Sequence, residues 1–551
     1  ADILVAPTGA GKTAAAILPW LWRRRLAASD VRQATPRRLV FCLPMRTLVE
    51  QTVNTARRWL DRLALDDVGL HAMLGGAVDE AWEIDPDRDT IIVGTQDQLL
   101  SRALNRGYAM SRYRWPVHFG LLHNDAQWVM DEVQLMGSGL STSTQLEGFR
   151  RALGTAAPST TMWMSATLAR GRLETIDFPR DGLATLTISE ADRANPGLQR
   201  RLSAKKLLVR AESFLEADIT AYAKALAAEV GARHVDGTLT IVVLNRVARA
   251  QAVFRALSKA GVPARLIHSR FRPAERQAIQ AEALGGSFRG VIVATQAIEA
   301  GVDISARTLF SEIAPWPSLV QRIGRCNRAG HDDGARVFVI DAKRDALDDD
   351  LARPYTCAAI DAARSKMCGL TDVGPDSLAA VPLDAEQPAL PVIRRRDLVE
   401  LFDTEPDLAG HDVDVGRFVR ATTDRDVQVF WRDFTGEPKR DMPRPRRDEL
   451  CAAPLGKELD KLAKDGGAWR WDSLERTWRK ADKLFPGLVL ALPQSAGGYH
   501  KDLGWTAQKA DVPELLPTEG SAREDDDETE TLATEASAYD LLSRHSADVA
   551  S

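Results

Sequence analysis

Ala6-Pro7-Thr8-Gly9-Ala10-Gly11-Lys12-Thr13 follows the apolar run Ile3-Leu4-Val5-Ala6 and precedes a stretch, Ala14 to Arg25, with helical patterning. A glycine-rich loop between a buried strand and a helix start offers backbone N–H groups and the positive end of the helix dipole to an anion. The closing Gly-Lys-Thr adds an ammonium for the β- and γ-phosphates and a hydroxyl for Mg²⁺. Thr8, Gly9, Ala10, Gly11, Lys12 and Thr13 are therefore read as a phosphate loop, with Thr13 also a metal ligand. Its first position is Ala6 where such loops usually carry glycine.

Working outward, residues 1 to about 195 alternate helical patterns with short apolar runs: Leu39-Val40-Phe41-Cys42, Ile91-Ile92-Val93, Trp128-Val129-Met130 and Thr161-Met162-Trp163-Met164. Apolar strands between helices predict a mostly parallel sheet covered on both faces. Residues 205 to 345 repeat the style with Leu239 to Leu244, Arg265-Leu266-Ile267, Val291 to Ala294 and Val337 to Ile340. The fold class expected is α/β, with two tandem parallel-sheet domains. Residues 346–512 read as a mixed accessory region holding Trp431, Trp469, Trp471, Trp478 and Trp505, either core residues or base-stacking platforms. The acidic and proline-containing stretch 513–535 reads as a solvated linker, and 536–551 as a terminal helix.

The second half of a nucleotide site is expected at Met130-Asp131-Glu132-Val133-Gln134, at the end of the Trp128–Met130 strand, where ligands of open parallel sheets collect. Asp131 would complete the Mg²⁺ shell and Glu132 would orient or deprotonate the attacking water. An Asp-Glu pair alone is commonly a solvated loop; the phosphate loop upstream gives it a task. Gln321-Arg322-Ile323-Gly324-Arg325-Cys326-Asn327-Arg328 places several guanidinium groups on one turn. Arg325 and Arg328 suit arginine fingers reaching across a cleft, with Gln321 nearer the γ-phosphate or the water.

Composition sets limits. The 551 residues exceed one core's usual size, and 44% hydrophobic with 27% charged residues is a globular balance. The formal net charge of −5 makes any nucleic-acid contact a local matter. No stretch reaches the roughly 18 apolar residues of a membrane span, so no membrane partner is expected. Five scattered cysteines without a CxxC pair, and no secretory signal, fit a reducing cytoplasm. The start, a strand already under way without Met, suggests a missing N-terminal flank.

Taken in order, Gly9 to Thr13, Pro44-Met45-Arg46-Thr47-Leu48, Gly94-Thr95-Gln96-Asp97, Asp131 to Gln134, Ser165-Ala166-Thr167, Thr295 to Asp303 and Gln321 to Arg328 resemble the motif series of superfamily 2 helicases. Members of that superfamily commonly tolerate Ala6. The resemblance implies two RecA-like lobes clamping ATP, with one nucleic-acid strand across their tops. It places Arg46, Thr47, Gln96 and Asp97, and His268, Arg270, Thr295 and Gln296, along that strand, by sequence-blind contacts. It sets Gly301 and Asp303 beside the nucleotide, and makes Ser165 and Thr167 the link between ATP site and track.

The stretch Trp128 to Gly137, followed by Gly139 to Leu146, resembles the CRISPR-associated helicase-nuclease of type I systems, in the branch linked to subtype I-G (formerly I-U). Most members carry His where this chain has Gln134. The family couples an ATP-driven single-stranded DNA motor of 3′ to 5′ polarity to an HD-type nuclease, working with an RNA-guided effector complex. His331-Asp332 and His411-Asp412 sit in turn-like contexts and read as incidental. The ending around His545 resembles the first helix of such a nuclease, so no cutting is expected from this chain alone; a transition metal would enter only with that domain. Two other readings remain: an RNA or repair helicase of the same superfamily, and a catalytically silent nucleic-acid scaffold.

Overall fold

The computed structural model describes residues 2–517, apart from positions 8, 75–76, 79–80, 109, 111, 167, 169, 180–182, 300–302, 344–345, 382–390, 404–412, 421–425, 473–474 and 485–487. Thr8, Thr167, Gly301, His411, Asp412, His545 and nearly all of the acidic linker therefore lie outside the described residues.

Eight strands form the first lobe: β1 (Asp2–Val5), β2 (Arg38–Leu43), β3 (Gly69–Leu74), β4 (Ala77–Val78), β5 (Thr90–Thr95), β6 (Ala126–Asp131), β7 (Ser159–Ser165) and β8 (Ala184–Thr187). Their order is β4-β3-β5-β2-β6-β7-β1-β8, and only the β3–β4 pair is antiparallel. Strands β2 and β5 are buried on both faces, as their unbroken apolar runs demand. The second lobe contains β9 (Leu207–Arg210), β10 (Leu239–Val243), β11 (Ala264–Ile267), β12 (Gly290–Ala294), β13 (Thr308–Glu312) and β14 (Arg336–Ile340), in the all-parallel order β11-β12-β10-β13-β14-β9. Every apolar run named from the sequence falls in a strand.

Strand β13 was not foreseen, although it lies at the centre of its sheet. It ends in Ser311-Glu312, which spoils the apolar signal. Glu312 is nevertheless wholly buried, accepting hydrogen bonds from Tyr222 Oη (2.9 Å), the Asn245 amide (2.7 Å) and Arg249 (3.2 Å). A buried charge survives only with such partners.

The region expected as one accessory block divides by what it packs against. Ile360, Ala363 and Val373 join the core of the second lobe. Ile393, Leu401, Val415, Phe418 and Val419 return to the core of the first. From Asp426 the chain builds a mixed five-stranded sheet, β15 (Asp426–Arg432), β16 (Cys451–Pro454), β17 (Trp469–Asp472), β18 (Thr477–Lys480) and β19 (Val489–Pro493), plus the pair β20 (Tyr499–His500) and β21 (Gly504–Trp505). Trp431, Trp478 and Trp505 are buried, and Trp469 and Trp471 pack half-buried against Phe430 and Trp478. Packing is the tryptophans' visible use.

The β20–β21 pair seats this sheet on the second lobe. Gln251 Nε2 donates to the carbonyls of Leu503 (2.7 Å) and Trp505 (2.8 Å), and the Trp505 amide donates to Arg270 O (2.9 Å). Gly504 has φ +70°, and a Cβ there would fall 2.3 Å from Arg270 O. Gly436 shares the left-handed conformation, φ +74°, with open space around it. Gly436→Ala should therefore cost only the conformational penalty of about 1–2 kcal/mol, whereas Gly504→Ala should lower the melting temperature several degrees further; equal shifts in a thermal melt would contradict the close-approach argument.

Candidate nucleotide site and strand track

Parallel pairing brings the motifs to one sheet edge. Val5 lies opposite Ser165, and Asp131 opposite Met164, so the loops after β1, β6 and β7 leave the sheet side by side. Gly9 (φ +88°) and Gly11 (φ +93°) take left-handed conformations that fold the phosphate loop back over β1. Lys12 then starts the helix Lys12–Arg25 with its side chain buried. Glu132 is itself left-handed, φ +53°, a strain of the kind functional sites hold.

A polar relay joins the three loops. Lys12 Nζ lies 3.5 Å from Glu132 Oε1; Gln134 Nε2 donates to Glu132 Oε2 (2.6 Å), and Ser165 Oγ donates to Gln134 Oε1 (2.6 Å). Burial, then the adjacent Glu132 carboxylate, push the Asp131 carboxyl upward against the pull of Lys12. Burial also works to raise Glu132, but Lys12, the Gln134 amide and Arg325 outweigh it and hold the carboxyl below its usual range. A buried carboxylate beside a second carboxylate, with the Thr13 hydroxyl on the neighbouring helix turn, is an oxygen donor set suited to a hard cation such as Mg²⁺. Binding that cation would favour the ionised form of Asp131.

The second lobe meets this edge through the arginine cluster. Arg328 packs over the phosphate loop, its Nε 3.6 Å from where a Cβ on Gly9 would stand, and pairs through that Nε with Asp303 (2.9 Å). Its Nη1 is buried without a hydrogen-bond partner among the described residues, as are both polar atoms of the Gln321 side chain. Arg325 faces Glu132 electrostatically, but its guanidinium donates to the carbonyls of Ile298 (3.1 Å) and Glu299 (2.6 Å). Burial and Arg328 lower its pKa to about 10. Arg322, wholly buried, binds Glu299 and the Glu312 carbonyl and so pins the cluster. Arg201, in the connecting helix Pro196–Leu202, donates to Gly9 O (2.7 Å). Its sequence signal, a basic pair in a linker, is indistinguishable from a solvated one.

The residues placed along a strand divide. Gln96, Thr295 and Gln296 line an inter-lobe cavity of about 390 Å³, together with Met45, Ser269 and others. Arg46, next to Met45, pairs with Glu50 (2.9 Å) and faces Arg276 of the second lobe, while the Thr47 hydroxyl is buried without a partner among the described residues. Asp97 is engaged by Arg420 at two points (2.7 and 2.6 Å), and an acid so held is no phosphate ligand. Arg270 gives its carbonyl to Trp505. His268 must be corrected: it is wholly buried beneath β20–β21, its Nε2 bonded to Leu503 O (2.9 Å) and its ring stacked on Phe271, so it does not reach the track. Asp332, as expected, serves a turn, accepting from the Gly334 amide (2.9 Å) and pairing with Arg307 (3.2 Å).

Two family models match, "DEAD/DEAH box helicase" over residues 2–176 and "CRISPR-associated nuclease/helicase Cas3, C-terminal" over residues 236–331. Neither model spans half of the chain, and together they mark a resemblance to Cas3-type superfamily 2 helicases. The chain is 36% identical over 117 residues to a CRISPR-associated nuclease/helicase Cas3 of Haloferax volcanii, a match covering 21% of this chain and 11% of that protein. A CRISPR-associated helicase Cas3 of Thermoproteus tenax is 34% identical over 114 residues, 20% of this chain and 19% of the other. Crystalline T. fusca Cas3 with ADP superposes with a TM-score of 0.58 at 16% identity, over 95% of this chain and 66% of that one. The matched stretches are thus minor parts of the curated relatives. The fold likeness extends over the accessory sheet as well as the two lobes.

Three buried histidines make the fold acid-sensitive. Burial lowers His118, His123 and His268 to about 3, from an ordinary 6.5. Below pH 6.5 the unfolded chain takes up protons that the folded chain refuses until about 3, so their stability contribution is full above 6.5 and lost progressively through that window. Each contributes a slope of up to about 1.4 kcal/mol per pH unit. Melting temperatures between pH 7 and 5 should fall steeply for the wild type and less steeply for His268→Gln, whose affinity for single-stranded oligonucleotide should stay at the wild-type value.

Proposed function

We propose that this core hydrolyses ATP to move along single-stranded DNA in a type I CRISPR interference system. An RNA-guided effector complex exposes the strand, and an HD-type nuclease working with the motor cuts it. The observation that carries the reading is the meeting of Arg328, packed over Gly9, and Arg325, electrostatically facing Glu132, with the Lys12–Glu132–Gln134–Ser165 relay across one cleft. Segments of both lobes also line a groove of about 390 Å³, the size class of ligand sites, with Gln96, Ser269, Thr295 and Gln296 among its polar groups. The names of the matched relatives support the CRISPR setting.

Each residue has a distinct part. Lys12 and the loop amides hold the β- and γ-phosphates, and Arg328 approaches the γ-phosphate from the other lobe. Glu132 takes a proton from the attacking water as the water oxygen bonds to the γ-phosphorus and the β–γ bridging oxygen leaves with the diphosphate. A Mg²⁺ ion held by Thr13 and Asp131 would withdraw charge from the transferred phosphoryl group. When the γ-phosphate departs, Glu132 changes its charge environment, and Gln134 passes that change to Ser165. Leu135 to Gly137, directly after Gln134, line the groove, so the same relay reaches it.

Glu132→Gln should lower ATP turnover by roughly 10²–10⁴-fold while nucleotide binding persists. Arg328→Ala should lower turnover by a similar or larger factor. Turnover of the wild type, followed by phosphate release, should rise with single-stranded DNA and little with duplex RNA. Stimulation by RNA instead would move the function to an RNA helicase, and an unchanged rate in Lys12→Ala would leave a silent scaffold.

A further inference from the structure

The cavity between the lobes contains a residue that belongs to neither. Arg420 follows the short helix Gly416–Val419, which the accessory region lays back on the first lobe. Val415, Phe418 and Val419 are buried in that lobe's core. Thr142 Oγ1 donates to Phe418 O (2.6 Å) and Gln96 Nε2 donates to Val419 O (3.2 Å), so the backbone before Arg420 is fixed to the helices that bear the first lobe's groove residues. Arg420 is the cavity's one lining cation among the described residues. The one lining anion, Glu299, is already bound by Arg322.

We infer that Arg420 is a phosphate-binding residue of the strand track, contributed by the accessory region and poised by Asp97. The inference rests on the single-strand reading above and adds a residue that the motif series does not contain. The Arg420–Asp97 pair is two-pointed, which fixes the guanidinium plane, and its side chains are 40% and 29% exposed. Both side chains stay partly open to solvent, within reach of an entering anion, and guanidinium matches phosphate with the same fork geometry it offers carboxylate. A backbone phosphate entering the groove exchanges with Asp97. Docking of the accessory segment and grip on the strand thereby become one arrangement.

Binding of a fluorescent oligo-dT strand, titrated over salt concentration, separates this role from a plain clamp. Arg420→Ala should bind several-fold more weakly, with a log K against log [salt] slope shallower by about 0.7. Arg420→Lys should keep the wild-type slope, and Asp97→Asn, by removing the competing carboxylate, should bind more tightly. A wild-type slope in Arg420→Ala, or weakening by both Arg420→Ala and Asp97→Asn, would assign the pair to docking alone and overturn the inference. A wild-type protein that fails to bind oligo-dT at any salt concentration would overturn the single-strand reading itself.

Discussion

A buried ammonium facing a buried carboxylate, Lys12 and Glu132 at 3.5 Å, fixes the geometry on which the candidate nucleotide site depends. Such a pair adds little net stability, because desolvating both charges offsets most of their attraction. Its effect is positional. Lys12 opens a helix and Glu132 ends a strand in a strained left-handed conformation, so their attraction holds two loops at a set spacing. Gln134 and Ser165 extend that spacing to the third loop. A triphosphate on the loop competes for the same ammonium, which makes the relay responsive to what the loop holds.

The opposing lobe supplies groups that its own packing leaves wanting. An unsatisfied buried polar group costs about 1–3 kcal/mol, and Gln321 and Arg328 Nη1 are in that position. Arg322 and Arg325, by contrast, are satisfied within the lobe by Glu299 and nearby carbonyls. The arginine cluster therefore contains two kinds of residue, one that builds the loop and one that the loop presents. In the proposed function, a nucleotide that satisfies Arg328 would favour the pairing of the two lobes. Arg201, tying the connecting helix to Gly9 O, puts the hinge in direct touch with the same loop.

The phosphate loop, the acidic pair and the arginine cluster were legible because each is a short contiguous string whose chemistry demands its residue types. Strands β2, β5, β10 and β12 were legible because burial on both faces needs unbroken apolar runs. Strand β13 was not, since Glu312 is reconciled with the core only by Tyr222 and Arg249, far away in sequence. The helicase resemblance put His268 along the strand, and only the return of Leu503 covers it. Within the arginine cluster, residue type gave no means of separating Arg325 from Arg328: their difference lies in which carbonyls fall within reach.

The accessory region shows most clearly what pattern reading misses, because its apolar residues are complementary to surfaces hundreds of positions upstream. After the second lobe it contributes to that lobe's core at Ile360 and Val373, to the first lobe's at Leu401 and Phe418, and then seats a separate sheet on the second at Arg270 and Gln251. The chain thus crosses between lobes after the connecting helix, again before Ile393, and once more before β15. Any change in lobe spacing has to be matched in the two later crossings. Asn105 and Arg106 both donate to Leu401 O at 2.8 Å, and Thr142 to Phe418 O, so the first-lobe segment is bound by its backbone as well as its side chains. That segment is thus anchored to the first lobe, and the sheet that follows it to the second. Arg420, at the end of the first-lobe segment, lines the groove between the lobes, so the proposed strand path runs past the point where the accessory region is anchored to the first lobe.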